Sequence, residues 1–184
     1  MAGSVTGPNP CLEGETTDFS TATTNLTYYV NAGWNSSSVH INPSSPKMCT
    51  TGDEDCIAYN YGYNAGEYAL SVLDSMGIVL PKIIWIDVET INTWSNDPVQ
   101  NQNSIQGEYD AFAAAGVESG AYSTTVQWDD LTGSWINNWP SWGATTWTTS
   151  AGAASYCTGH EFTGGPSYLM QYTPTSTRDK DYAC

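Results

Sequence analysis

The chain has 184 residues, enough for one domain with a sizeable core, and carries 19 Asp plus Glu against 4 Lys plus Arg, a formal net charge of −15. So lopsided a balance excludes phosphate-rich partners, since neither nucleic acid nor an anionic membrane surface finds the basic patch it needs. Only 12% of residues are charged, so surface polarity rests on Ser, Thr, Asn and Gly, while eight Trp and twelve Tyr supply aromatic surface for stacking on sugar rings as well as for a core.

In chain order, residues 1–25 are rich in Gly, Pro, Thr and Asn and are predicted to be irregular. Met1-Ala2-Gly3-Ser4 has neither a charged n-region nor an apolar h-region, so the start reads as a mature or recombinant boundary. No apolar run is long enough to span a bilayer. Residues 26–32 read as a strand ending near Asn31, followed by a polar loop to about Tyr61. Within that loop Cys49 and Cys56 flank Thr50-Thr51-Gly52-Asp53-Glu54-Asp55, a natural small disulfide loop. Ala65, Tyr68, Ala69, Val72, Leu73 and Met76 make one apolar stripe, predicting a helix over 64–76 with Gly77 as its stop and Pro81 beyond.

A buried strand follows from Lys82, and Asp97-Pro98 opens the next helix as N-cap and first turn, running to about Ala115. Residues 117–123 read as a third strand, 125–131 as a short helix, 141–148 as a fourth strand and 168–173 as a fifth. Strand alternating with helix at short spacing predicts parallel βα units in one domain spanning residues 1–184. In barrels of that kind the working residues lie at the C-terminal strand ends. Those ends here carry Asn31, Asp87 with Glu89, Tyr122 with Ser123, Trp147, and Gln171 with Tyr172.

The segment Ile83-Ile84-Trp85-Ile86-Asp87-Val88-Glu89 is the most informative. Alternation puts Trp85, Asp87 and Glu89 on one face and Ile84, Ile86 and Val88 on the other, which suits a strand covered by helices. Core packing gives no reason for two acids at such a strand end. Two neighbouring carboxyls, one beside a tryptophan, are what glycoside hydrolysis requires. Repulsion between them raises one carboxyl's pKa, and desolvation by Trp85 is expected to act on Glu89 in the same direction.

Five cysteines point to an oxidising compartment, hence a secreted protein. Cys157 with Cys184 is the second expected bridge, leaving Cys11 without an evident partner. No C-x-x-C occurs and His40 and His160 are far apart in sequence, so no metal and no cofactor are expected. Asn25-Leu26-Thr27 and Asn35-Ser36-Ser37 are glycosylation acceptor patterns for a eukaryotic host.

Trp85-Ile86-Asp87-Val88-Glu89, Gly120-Ala121-Tyr122-Ser123, Ser141-Trp142 to Trp147, Gln171-Tyr172-Thr173 and Asp179-Lys180-Asp181 occur in that order. With Asn9-Pro10-Cys11-Leu12, the stretch from Tyr61 to Ala65 and the loop from Phe162 to Pro166, the set resembles family 25 glycoside hydrolases, specifically a cysteine-containing actinobacterial branch. These are lysozymes that cleave the muramic acid to glucosamine linkage of peptidoglycan, and the resemblance covers about residues 5–184. It implies an incomplete, irregular (β/α) barrel of the TIM-barrel-like type. It also implies Glu89 as proton donor, Asp87 as the assisting carboxylate, and Asp181 as a late acid, with Asp179 competing for that position. Tyr122, Trp147, Gln171 and Tyr172 are then groove residues, and Trp94 and Asn31 are further candidates for binding substrate. Assistance by the substrate's own acetamido group would make a protein nucleophile unnecessary.

One departure stands out. The family's first strand, with its G-x-D-x-S pattern and groove Asp, has no counterpart before Val5-Thr6-Gly7. The resemblance implies an upstream cysteine as the partner of Cys11, so a first strand is expected to have been lost or trimmed. An open sheet edge would then invite dimerisation. Two rival readings are a glycan-binding module that has lost turnover, and a hydrolase of another acetamido polysaccharide such as chitin.

Overall fold

The computed structural model describes residues 7, 9–19, 26–37, 42–175 and 178–184. Residues 1–6, 8 and 20–25, as well as Asn25 of the first acceptor pattern and His40, lie outside the described residues.

The described part of the N-terminal segment is not irregular throughout, because residues Leu12–Phe19 form a helix, α1. Asn9 caps it, its side-chain oxygen accepting from the backbone of Cys11 and its carbonyl from Leu12. Glu13 and Glu15 occupy the first turn, where the helix dipole favours negative charge. A short helix with little apolar stripe leaves no periodic signal, which is why the sequence reads there as loop. Cys11 is free and exposed.

Strand β1 (Tyr28–Asn31) leads to α2 (Glu54–Ser75), which begins ten residues before the predicted start. Asp53 is its N-cap, accepting from the backbone of Cys56, and the expected Cys49–Cys56 disulfide ties the first turn to the preceding loop. This turn is hidden in the sequence because Asn60, at 0% exposure, points inward. Its amide donates to the carbonyls of Asn42 and Lys47 and accepts from the Lys47 backbone, so a buried polar group is satisfied by the loop it packs against.

Strand β2 (Ile83–Asp87), α3 (Pro98–Ala114), β3 (Glu118–Ser123), α4 (Thr125–Thr132) and β4 (Ser141–Ala144) follow. Asp97 caps α3 with Pro98 at its first position, as the sequence predicts. β4 ends four residues short of the predicted Thr148, so Trp147 stands beyond the strand. Helix α5 (Ser150–Ala154) and strand β6 (Arg178–Ala183) were not foreseen. β5 covers Ser167–Thr175. Helices α2 and α3 pack closely because Gly62 lies against the backbone of Ser104 and Gly107 against that of Tyr59, where any side chain would collide.

The six strands form one sheet in sequential order, parallel from β1 to β5 with β6 antiparallel at the edge, curled into a half-barrel. Among the described residues β1 pairs with β2 alone. The outer face of β2 behaves as alternation predicts: Ile84, Ile86 and Val88 join Ile105 and Phe112 of α3 and Trp128 and Leu131 of α4 in the main core. Cys157 and Cys184 are bridged, which fastens the end of β6 to the turn after α5. No described helix is long and apolar enough to cross a membrane.

Candidate active site

The inner face of the half-barrel is laid down by register. Asn31 of β1 lies opposite Asp87 of β2, Asp87 opposite Tyr122 of β3, and Tyr122 opposite Trp142 of β4. One layer below, Tyr29 lies opposite Trp85 and Trp85 opposite Gly120. The Trp85 indole lies over Gly120, where a Cβ would come within 2.6 Å of the ring. It meets Trp142 and Tyr168 edge to face, so the base of the half-barrel is filled with aromatic rings.

Above this floor is an open pocket of about 300 Å³ lined by Tyr29, Asn31, Asp87, Glu89, Ile91, Asn92, Tyr122, Trp142 and Gln171. Five of the nine residues expected to form the site therefore converge: Asn31, Asp87, Glu89, Tyr122 and Gln171. Tyr29, Ile91, Asn92 and Trp142 were not among them. Tyr29 was within reach of the sequence, since it stands two residues before Asn31 on the same strand face.

Asp87 is 5% exposed, and one of its oxygens, Oδ1, is buried with no hydrogen-bond partner. Burial first, then the charge of Glu89 and a hydrogen bond to its carboxyl, push Asp87 up to about 8. Held up in this way, Asp87 keeps its proton at neutral pH. Desolvation thus falls mainly on Asp87, whereas the sequence directs it to Glu89; Trp85 packs downward into the aromatic floor, and Glu89 is only partly buried, beyond the hydrogen-bonded end of β2.

The backbone of Glu89 is pinned. Its carbonyl accepts from the Asn92 backbone at 3.1 Å and from the Trp94 indole at 2.8 Å. Thr90 donates through both its backbone and its hydroxyl to Gln127 of α4. Trp94 is therefore a support behind the acid, packed beside Trp34 and Tyr61, and does not line the pocket.

On the opposite wall Tyr122 donates its hydroxyl to Gln171 Oε1 at 2.9 Å, and its phenol is held well above the usual range by burial and then by Glu89, Asp87, Asp179 and Asp181. The Gln171 carbonyl is fixed by the backbone and hydroxyl of Thr145. Trp142 meets the Tyr122 ring at 4.8 Å and donates its indole N–H to Asp181 at 2.8 Å. Asp181 stands opposite Gln171 in the β5–β6 pairing but lies outside the lining. Tyr172 is also outside it, and Trp147, 44% exposed, lies against Gly152 with Tyr156 at its edge.

A third acid, Glu108 of α3, is 1% exposed with Oε1 unpartnered, and burial followed by the charge of Asp87 raises it well above the carboxylate range. It was not anticipated from sequence. Among the described residues no group of three or more His, Cys, Asp or Glu side chains is arranged to hold a metal ion.

Residues 20–155, most of the chain, match the family described as lysozyme-like protein 1. The chain belongs to the lysozyme-like family. The matched span contains Asn31, Asp87, Glu89, Tyr122 and Trp142, and ends before β5 and β6, which supply Gln171 and Asp181. Neither a curated protein nor a solved structure matches the chain. In this lysozyme-like chain the carboxyl pair therefore sits inside the matched part, and Gln171 and Asp181 outside it.

Proposed function

We propose that the chain is a secreted glycoside hydrolase of the muramidase type, cleaving the glycan of peptidoglycan in the pocket over Asp87 and Glu89. The observation that carries this reading is the placing of Asp87 and Glu89 together in one pocket walled by Tyr122 and Trp142. Membership of the lysozyme-like family supports it, and the two disulfides suit an extracellular compartment. We read the half-barrel as an incomplete (β/α) barrel whose active end lies at the C-terminal ends of the parallel strands.

Chemically, Asp87 lines the pocket beside Glu89 and is held protonated by burial. A substrate acetamido N–H at the Asp87 carboxyl stabilises its ionised form, so the Asp87 proton passes to Glu89 on the open side. Glu89 then gives it to the leaving glycosidic oxygen while the acetamido oxygen attacks the anomeric carbon. Water opens the resulting oxazolinium ring and returns its proton to Glu89. Trp142 and Tyr122 offer ring faces and edges to the sugar, and Asn31, Asn92 and Gln171 offer amides to its hydroxyls. Glu89→Gln should abolish lysis of cell walls while leaving the melting temperature nearly unchanged; undiminished lysis would reject the assignment.

A further inference from the structure

We propose that Trp147, with Tyr156 and His160, forms a second glycan-binding platform outside the pocket, on which an uncharged ring face of an amino-sugar polymer stacks. This goes beyond the reading above and requires binding only, not turnover.

The platform is set by the backbone. Past the end of β4 the pairing with β5 continues: Thr145 donates its backbone N–H to the Gln171 carbonyl at 3.0 Å, and the Trp147 carbonyl accepts from Thr173 at 2.9 Å. Trp147 therefore stands level with Thr173, two residues and roughly 7 Å farther along β5 than Gln171 of the pocket lining. Its ring is held from one side. A Cβ on Gly152 of α5 would come within 2.6 Å of the indole, so one ring face lies on the helix where only glycine leaves room. The Gly152 N–H is itself fixed by the Thr149 hydroxyl at 3.2 Å. Tyr156 meets the indole edge to face at 6.1 Å, and the exposed His160 imidazole stacks on Tyr156 at 3.9 Å. The Cys157–Cys184 disulfide fastens this turn to the end of β6.

A single exposed apolar side chain is ordinary on a protein surface. This tryptophan, 44% exposed, differs because it is backed by Gly152 and edged by Tyr156, so a ligand stacking on it orders little that was free. Its surroundings also select the ligand. Residues 131–160 contain no Asp, Glu, Lys or Arg, in a chain whose net charge is −15. The exposed residues flanking the ring in sequence are Thr146, Thr148, Thr149 and Ser150, all hydroxyls. A sugar ring matches this combination, since it has an apolar C–H face to lay on an indole and a rim of hydroxyls to bond beside it. A charged partner finds no counter-ion there, and an apolar one finds too little area.

The polymer has two sources, cell-wall glycan and chitin, and the test separates them. The probes are insoluble peptidoglycan and insoluble chitin, each mixed with the Glu89→Gln protein so that cleavage does not erode the matrix, and bound protein is read by sedimentation. In that background Trp147→Ala is expected to weaken binding by about fivefold or more, and Trp147→Phe by about twofold or less. Gly152→Ala keeps the indole but displaces it, so it should weaken binding as Trp147→Ala does. Melting curves establish which variants fold; should Gly152→Ala fail to, the two Trp147 variants decide alone. Binding should change by less than about twofold between about 0.02 M and about 0.5 M salt, since no charge takes part. No binding to either matrix, unchanged binding in a folded Trp147→Ala or Gly152→Ala, or binding lost on adding salt overturns the proposal. Tighter binding to one matrix identifies the source. Binding that depends on Trp147, with no turnover by the wild type, keeps this inference and sinks the hydrolase reading; turnover with binding indifferent to Trp147 does the reverse.

Discussion

The Trp142 indole donates to Asp181 across 2.8 Å, and Asp181 itself stands outside the pocket lining. We propose that Asp181 is a positioning residue. Asparagine keeps an oxygen that accepts from the indole, so Asp181→Asn should retain kcat within about tenfold. A direct general acid or base would lose about a hundredfold or more. Trp142→Ala, by contrast, should raise KM strongly. Steady-state kinetics on solubilised wall fragments check both; a collapse of kcat in Asp181→Asn restores the acid to the chemistry.

The proton held by buried Asp87 makes stability depend on pH in a definite direction. Asp87 titrates near 4 in an unfolded chain and at about 8 in the folded protein. Between these values the folded state holds a proton that the unfolded state has released. The contribution is complete below about pH 4 and is lost as pH rises toward about 8, by up to about 1.4 kcal/mol per pH unit. Glu108 acts in the same sense. Asp87→Asn removes the Asp87 component, so its melting temperature should fall less between pH 5 and about pH 8 than that of the wild type. Parallel melting curves for the two proteins would contradict the assignment of a buried, protonated Asp87.

Activity should follow the same group. Because the free pair needs one proton to work, kcat/KM is expected to decline as pH rises through about 8. A pH–rate profile flat to pH 9.5 would place the working proton on some other group (that limit is about 1.5 units above the Asp87 value).

Gly120 is demanded by the ring beside it. A methyl there would meet the Trp85 ring at 2.6 Å and the Pro140 carbonyl at 2.5 Å. Overpacking of this kind costs about 1–3 kcal/mol, so Gly120→Ala should lower the melting temperature by about 2–10 °C. Adding Trp85→Leu should recover part of the loss if the ring is the obstacle, as a double-mutant cycle would show. Additive losses would place the strain at Pro140 alone.

How far the sequence carried depends on which force sets each element. β2, α3, β3 and α4 were legible because apolar alternation, the Asp97-Pro98 cap and the glycine stops are local signals. The first turns of α2 were not, because Asn60 and the close-packed Gly62 look like loop residues until their partners are known. β6 was not foreseen either: Arg178 to Asp181 are charged and exposed, and only pairing with β5 makes them a strand. In the site, strand-end residues were legible from period-two alternation. The roles of Trp94 and Asp181 were not, since a hydrogen bond to the Glu89 backbone or from the Trp142 ring is a tertiary fact. Burial of Asp87 rather than Glu89 likewise depends on how the half-barrel curls.

The most direct measurement is mass spectrometry of the fragments released from purified peptidoglycan by the wild-type protein and by Glu89→Gln. The account predicts muramic acid at the new reducing ends with the wild type and no release with the variant. Fragments ending in glucosamine, identical release by the variant, or no cleavage of the glycan by the wild type would contradict it.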